Sequence, residues 1–269
     1  MANTDRQKFP DVQGGGSLIL AWQVKNKTVL VVGGGEVAAG RILNVLNADA
    51  NVVVVCPSSG LNPEVRHRLD NSDKVTHIDR VFEPADLEAL PPANAPPEMV
   101  LVAVDDPAAS TQIWKLCKEH RIPANIADVP SECDFYFGSV HRDGPLQIMV
   151  STNGKGPRLA ASIRKWIGNQ LPAGVGNAIE RIGELRVKLR QMVPDAADGP
   201  KRMRWMTKVS DVYSWDDMCA LADEDMDNLL KFFQSGKVPE LHVLKAMRGG
   251  KVPEDLDIFD GSFGFSVVA

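Results

Sequence analysis

Cysteine is scarce in this chain, and the little there is does not pair. Cys56, Cys117, Cys133 and Cys219 form no Cys-x-x-Cys motif, so neither a zinc ribbon nor a disulfide-stapled scaffold is encoded. Reduced thiols in a cytoplasmic protein are expected. Histidine is equally thin. His67, His77, His120, His141 and His242 make no His-x3-His or His-Glu-x-x-His pattern, so no permanent metal site is expected. No apolar run reaches the roughly 18 residues that a membrane-spanning helix needs, and residues 1–17 lack the apolar stretch of a secretory signal. There is no basic tract, and a net charge of −5 offers no long-range attraction to a phosphate backbone, which sets nucleic acid aside.

What the chain does have is valine. Thr28–Val32 is a β-branched run that stops at three glycines, and Val52-Val53-Val54-Val55 is a second run ending at Cys56-Pro57-Ser58-Ser59. Between them, Val37, Ile42, Leu43, Val45 and Leu46 carry a helical period over 36–47. Strand, glycine turn, helix, strand is a βαβ unit, and runs apolar on both faces suit a buried parallel sheet. The pattern predicts further strands over 75–81, 99–104 and 124–127, a short helix over 63–69 and a helix over 107–120 with Pro107 in its first turn. Residues 90–97 hold four prolines and read as a surface loop.

The texture then changes. Segments 134–138 and 145–151 are apolar and flank His141-Arg142-Asp143-Gly144, a turn signal. They predict a β-hairpin outside the βαβ series, with His141 exposed in its turn. Helical periods follow over 163–171, 178–192, 201–209 and 226–233. The expected architecture is α/β: a flexible leader (1–17), a Rossmann-like parallel-sheet domain (18–130), a hairpin region (131–156), a helical module (157–250) and a tail (251–269). A lone hairpin buries little, so a homodimer sharing that region is expected.

Gly33-x-Gly35-x-x-Ala38 fits the G-x-G-x-x-G/A dinucleotide fingerprint. The first glycine permits a sharp turn, the second lets backbone approach a pyrophosphate, and the small third residue lets helix and strand pack closely. The free amides of Glu36, Val37 and Ala38 at the helix start favour the anion. A lone motif is weak, but this one follows a strand and opens a helix. One element is missing. No Asp or Glu follows the second strand to hold a ribose, so the hydroxyl of Ser58 or Ser59 stands in. That missing acid weakens the case for NAD over NADP, whereas no arginine immediately follows the strand, which argues against a 2′-phosphate, so the loop alone leaves the two cofactors open.

Four stretches in order resemble the precorrin-2 dehydrogenase / sirohydrochlorin ferrochelatase family, the dehydrogenase–chelatase part of siroheme synthase. They are residues 31–38 (VVGGGEVA), 125–128 (NIAD), 133–138 (CDFYFG) and 151–160 (STNGKGPRLA), with 182–186 (IGELR) beyond them. The resemblance covers roughly residues 17–235 and is nearest the stand-alone fungal form, since no methyltransferase domain follows. It implies NAD-dependent oxidation of precorrin-2 to sirohydrochlorin, then insertion of Fe2+ (a substrate rather than a resident ligand) to give siroheme. A dehydrogenase without chelatase activity and a non-catalytic NAD sensor are the alternatives.

The resemblance also implies roles. Asp128 matches the family's essential aspartate, and one carboxylate near a macrocycle could assist both proton removals; a turn cap at Asp128-Val129-Pro130 is the competing reading. Val104, Asp105 and Asp106 lie where the family sets backbone against the cofactor, although Asp before Pro107 also reads as a helix cap. Pro57 and Ser58 fall on the adenosine side. The substrate of this family carries eight carboxylates. Asn125, Ser151, Asn153, Gly154, Lys155 and Arg158 are its candidate contacts, Arg158 because guanidinium pairs bidentately with carboxylate. A solvated basic face of Arg158, Arg164 and Lys165 is the alternative. The family often has Ser at the position of Gly156.

Overall fold

A computed structural model describes residues 12–250. The tail expected over 251–269 and residues 1–11 of the expected leader lie outside the described residues. The chain divides into two compact units, with the boundary between Phe137 and Gly138.

The first unit is a five-stranded parallel sheet: β1 (Thr28–Val32), β2 (Asn51–Val55), β3 (Val75–Ile78), β4 (Met99–Val102) and β5 (Ala124–Ile126), in the order β3-β2-β1-β4-β5. Helices α1 (Glu36–Leu46), α2 (Pro63–Asn71) and α3 (Pro107–His120) connect them. The valine runs become central strands because side chains alternate across a sheet. Val29, Val31, Val52, Val54, Met99 and Leu101 point to the α1 side, against Ala38, Ile42 and Val45. Leu30, Val32, Val53, Val55, Val100 and Val102 point to the other, against Ile113 and Cys117 of α3 and against Leu87 and Leu90. Burying each such side chain is worth about 1.5–3 kcal/mol, so both faces need apolar residues and no alternation survives in the sequence. Leu90, read from its prolines as loop, is buried and bridges Ala95. The strand order reverses at β1, between β2 and β4, and ligands of such sheets bind outside the carboxyl ends there.

The second unit begins with an antiparallel hairpin, β6 (Ser139–Asp143) and β7 (Leu146–Val150), and continues through α4 (Pro157–Gln170), α5 (Val175–Met192), α6 (Gly199–Val212), α7 (Trp215–Ala220), α8 (Asp223–Leu230) and α9 (Leu241–Ala246). The hairpin corrects the sequence reading. Its first strand is 139–143 rather than 134–138, and its turn is Gly144-Pro145, with Asp143 paired to Leu146 and Gly144 at φ +53°. Residues 134–137 are held elsewhere: Asp134 takes the amide of Ala124 and pairs with Lys118, and Phe135 packs edge-on against Trp22. His141 is therefore in a strand and half-buried, so close to Gly168 that a Cβ there would stand 2.8 Å from its Nδ1. The helical core gathers Leu185, Leu189, Trp205, Val209, Met226, Leu229, Phe233 and Leu244. Among the described residues, no helix is long and apolar enough to cross a membrane.

Candidate functional site

The loop after β1 shows why three glycines stand there. Gly33 has φ +111°, and a Cβ on it would overlap the carbonyl of Ala103 at the end of β4. Gly34, to which the fingerprint assigns nothing, is also short of space, though its backbone is unstrained. A Cβ there would lie 2.7 Å from Cys56 Sγ and 3.0 Å from the Gly60 oxygen. Gly35 differs, since a Cβ would meet nothing within 4 Å. Its exposed backbone, at φ −75° and ψ −168°, leads into α1 with no side-chain cap. The helix ladder starts with the Ala39 amide on Gly35 O at 3.0 Å, so the amides of Glu36, Val37 and Ala38 precede it and face outward. Ala38 is fully buried, as close helix–strand packing requires. An open approach over Gly35 backed by first-turn amides fits a pyrophosphate.

Beside it, on the α3 side, lies a cavity of about 420 Å³. Pro57, Val104, Val81, Phe82, Asp106 and Gln112 are among its lining residues, a mostly apolar wall with one amide. Its place beyond β1, β2 and β4 suits a flat apolar ring such as adenine. Ser58, in the turn after β2, is engaged by a residue that lies outside every motif. Its amide donates to Asp79 Oδ1 at 2.6 Å and its hydroxyl to Oδ2 at 2.5 Å. Asp79 follows β3 directly. The expected strand over 75–81 hides it; the observed strand ends at Ile78, where pairing with Val55 stops. Asp106 caps α3, accepting from the amides of Ala108 and Ala109 at 2.8 and 3.1 Å, while Asp105 beside it is exposed.

Asp128 is exposed just past β5, in the left-handed conformation at φ +58°. It does not cap the turn that follows. That turn's N-cap is Val129, and the Asp128 carboxylate makes no hydrogen bond among the described residues. Its charged neighbour is Arg41 of α1, also unforeseen, whose guanidinium donates to the carbonyls of Val102 at 2.7 Å and Asn125 at 3.1 Å. That bond pair ties the ends of β4 and β5 together. Burial holds Arg41 below its usual range, against the opposing pull of Cys133 and Asp128. Asn125 itself is buried, and its side chain donates to Phe135 O at 2.7 Å. Its amide is committed to the fold instead of being open to a substrate.

The remaining candidates lie in the second unit, in one turn opening α4. Ser151 Oγ accepts from the Asn153 amide at 3.1 Å, and the Thr152 hydroxyl accepts from the Gly156 amide at 3.1 Å. Thr152 thus binds the loop from within, although Gly156 carries no hydroxyl. Asn153 and Gly154 are left-handed at φ +52° and +76°, and the turn they make leaves Lys155 and Arg158 exposed. Arg164 is not part of a solvated face: it is half-buried, 3.3 Å from Ser139 Oγ. Among the described residues no group of three or more His, Cys, Asp or Glu could hold a metal ion.

This geometry has close relatives. An NAD(P)-binding family model matches residues 20–139. The model for the central part of sirohaem biosynthesis proteins matches 143–170, and that for their C-terminal part matches 172–239. The siroheme biosynthesis protein met8 of Schizosaccharomyces pombe is 51% identical over 226 residues, covering 84% of this chain and 83% of that protein. The siroheme biosynthesis protein of the same name from Saccharomyces cerevisiae is 30% identical over 73% of this chain and 83% of its own length. Among solved structures, SirC, a precorrin-2 dehydrogenase, aligns with a TM-score of 0.57 at 19% identity over 81% of this chain and all of its own, a likeness of fold. With an NAD(P)-binding sheet followed in order by the central and C-terminal sirohaem segments, and half its aligned residues shared with a relative of similar extent, the chain belongs to the sirohaem biosynthesis protein family.

Proposed function

We propose that this protein oxidises precorrin-2 to sirohydrochlorin with NAD+ and then assists Fe2+ insertion into the product, giving siroheme. The observation that carries the reading is Asp128: an uncommitted carboxylate on the same strand-end edge as the glycine loop, two strands away from β1. Bound NAD+ supplies a hydride acceptor. The loop at Gly33–Ala38 would hold its pyrophosphate, and Pro57, Ser58 and Val104 would border its adenosine half. Oxidation removes a hydride and a proton from the macrocycle, and Asp128 takes the proton. Iron insertion releases two pyrrole N–H protons, and the same carboxylate can relay them. Lys155 and Arg158, with Ser151, Asn153 and Gly154 shaping their turn, offer the positive charge that a polycarboxylate needs from an acidic protein.

A homodimer is part of the proposal. Helix α4 buries only Ala160 in the single chain, while Leu159, Ile163 and Trp166, spaced along one face, are 61%, 38% and 65% exposed. Three large apolar groups on one helical stripe mark a surface that expects a partner. Trp166→Glu then gives monomers by sedimentation velocity; unchanged sedimentation overturns the dimer. A cytoplasmic location is proposed with it, because none of the four cysteines is placed to pair with another.

The catalytic test is spectroscopic. Precorrin-2 with NAD+ should yield the sirohydrochlorin spectrum, and added Fe2+ or Co2+ should convert it faster than buffer does. No oxidation at any enzyme concentration refutes the proposal in favour of an NAD sensor. Oxidation without accelerated metal insertion leaves a dehydrogenase alone. Asp128→Asn keeps the left-handed backbone, which Asn tolerates, and should lose both steps while NAD+ still binds; retained turnover refutes the shared-proton role.

A further inference from the structure

The geometry points to Asp79 as the residue that selects NAD over NADP, acting with Ser58 as a two-strand substitute for the acid missing after β2. This inference rests on the dinucleotide reading above and sharpens it.

The sheet makes the substitution possible. β3 is the neighbour of β2, with Val55 opposite Ile78, so the residue after β3 comes to lie beside the turn after β2. Asp79 receives both the amide and the hydroxyl of Ser58, at 2.6 and 2.5 Å. These two bonds pin the carboxylate on the turn where a Rossmann unit places its adenosine ribose. A carboxylate has about four acceptor positions, and Ser58 uses two, so acceptors remain for a ribose 2′-hydroxyl. The Ser58 hydroxyl, followed by its amide, holds the Asp79 carboxyl below the usual carboxylate range, so the group is an anion at neutral pH. Both partners border the apolar cavity. Pro57, one residue before Ser58, and Val81, two beyond Asp79, line it.

A ribose 2′-hydroxyl thus finds an acceptor, and a 2′-phosphate finds a negative charge. The opposing candidate is Arg66, whose guanidinium donates to the Ser58 carbonyl at 2.6 Å. If Arg66 governed the site it would recruit a 2′-phosphate, and NADP would be preferred.

The experiment measures NAD+ and NADP+ binding to the full chain by calorimetry, without tetrapyrrole. The original protein should prefer NAD+. Asp79→Asn should weaken NAD+ binding roughly tenfold, as loss of a charged acceptor does, and should cut the NAD+/NADP+ preference by at least that factor. Ser58→Ala should move the ratio in the same direction, and Arg66→Gln should leave it unchanged. Asp79 is exposed, and an unaltered melting temperature certifies the variant's fold. An unchanged preference in Asp79→Asn overturns the inference, as does a preference that tracks Arg66. No NAD+ binding by the original protein overturns instead the dinucleotide reading beneath it.

Discussion

Gly33 and Gly35 stand two residues apart in one loop, and alanine at each should fail in a different way. At Gly33 the backbone is at φ +111°, and an added Cβ overlaps the Ala103 carbonyl, standing 2.8 Å from its carbon where real Cβ contacts stay above 3.0 Å. Ala103 cannot simply retreat. Its amide binds Val32 O at 2.8 Å, while the Gly33 amide binds Val55 O at 3.0 Å, so relief means prising β4 from β1. Strain of about 1–3 kcal/mol for the backbone and a similar amount for overpacking put the loss near 3 kcal/mol. A chain of this size then melts about 6–12 °C lower. At Gly35 the backbone angles suit alanine, and the Cβ meets no protein atom within 4 Å. The weaker N-cap costs about half a kcal/mol, and a stiffer unfolded chain offsets much of that. Melting should stay within about 2 °C. The methyl group nonetheless fills the space through which backbone reaches pyrophosphate, so the NAD+ dissociation constant should rise at least tenfold, or about 1.4 kcal/mol. Calorimetric melting and NAD+ titration on the same preparations read both quantities. A Gly35→Ala protein that binds NAD+ as well as the original would refute the placement of the cofactor, and a Gly33→Ala protein with unchanged melting would refute the strain argument.

Arg41→Met strips the donors from the carbonyls of Val102 and Asn125. It should cost about 1–3 kcal/mol and slow turnover more than it weakens NAD+ binding, because the end of β5 that carries Asp128 loses its tie; equal losses in both would contradict a positioning role. The helical unit should have an acid limb of its own. Asp225 is buried, bound by Arg248 at 2.8 and 2.6 Å and by the Ala222 amide at 2.9 Å, and Arg248 above all holds its carboxyl below the ordinary range. A depressed folded-state value favours the ionised native state. The stabilisation is therefore complete above the unfolded value of about 3.9 and drains away as pH falls through the lower folded one. Acid unfolding followed by circular dichroism should show that limb flattened in Arg248→Gln, and an unaltered limb would discount the pair.

Much of the fold is legible because strong local signals agree with it. The residues of β1 and the span of α3 can be read to the residue: a β-branched run stopping at glycine marks one, Asp106-Pro107 at the start of a helical period marks the other. Where the pattern fails, it fails locally. Helices α7 and α9 have six residues each, too few for a 3.6-residue period to stand out. The pattern sets the first hairpin strand five residues early, while the second segment read over 145–151 falls on β7; Phe135–Phe137 looks like strand, whereas its apolar rings serve Trp22 and each other. The overlong reading of β3 has the largest consequence, since it places Asp79 inside a strand and out of consideration.

Asp79 and Arg41 escape the sequence pattern for a common reason, and it bears on how such fingerprints are read. Neither is near its partners along the chain. Asp79 meets Ser58 across 21 residues, and Arg41 meets Val102 and Asn125 across 61 and 84. The order β3-β2-β1-β4-β5 makes these neighbours, by setting the ends of β2 and β3 side by side and those of β4 and β5 within one guanidinium's span. Periodicity finds strands but does not order them. A fingerprint written as spacing along one βαβ unit is therefore a statement about space projected onto sequence, and it reports a gap wherever an adjacent strand supplies the group. The absence of an acid after β2 is such a gap. By itself it favours neither NAD nor NADP; the carboxylate count has to be taken around the turn at Ser58, where the neighbouring strand has already placed one.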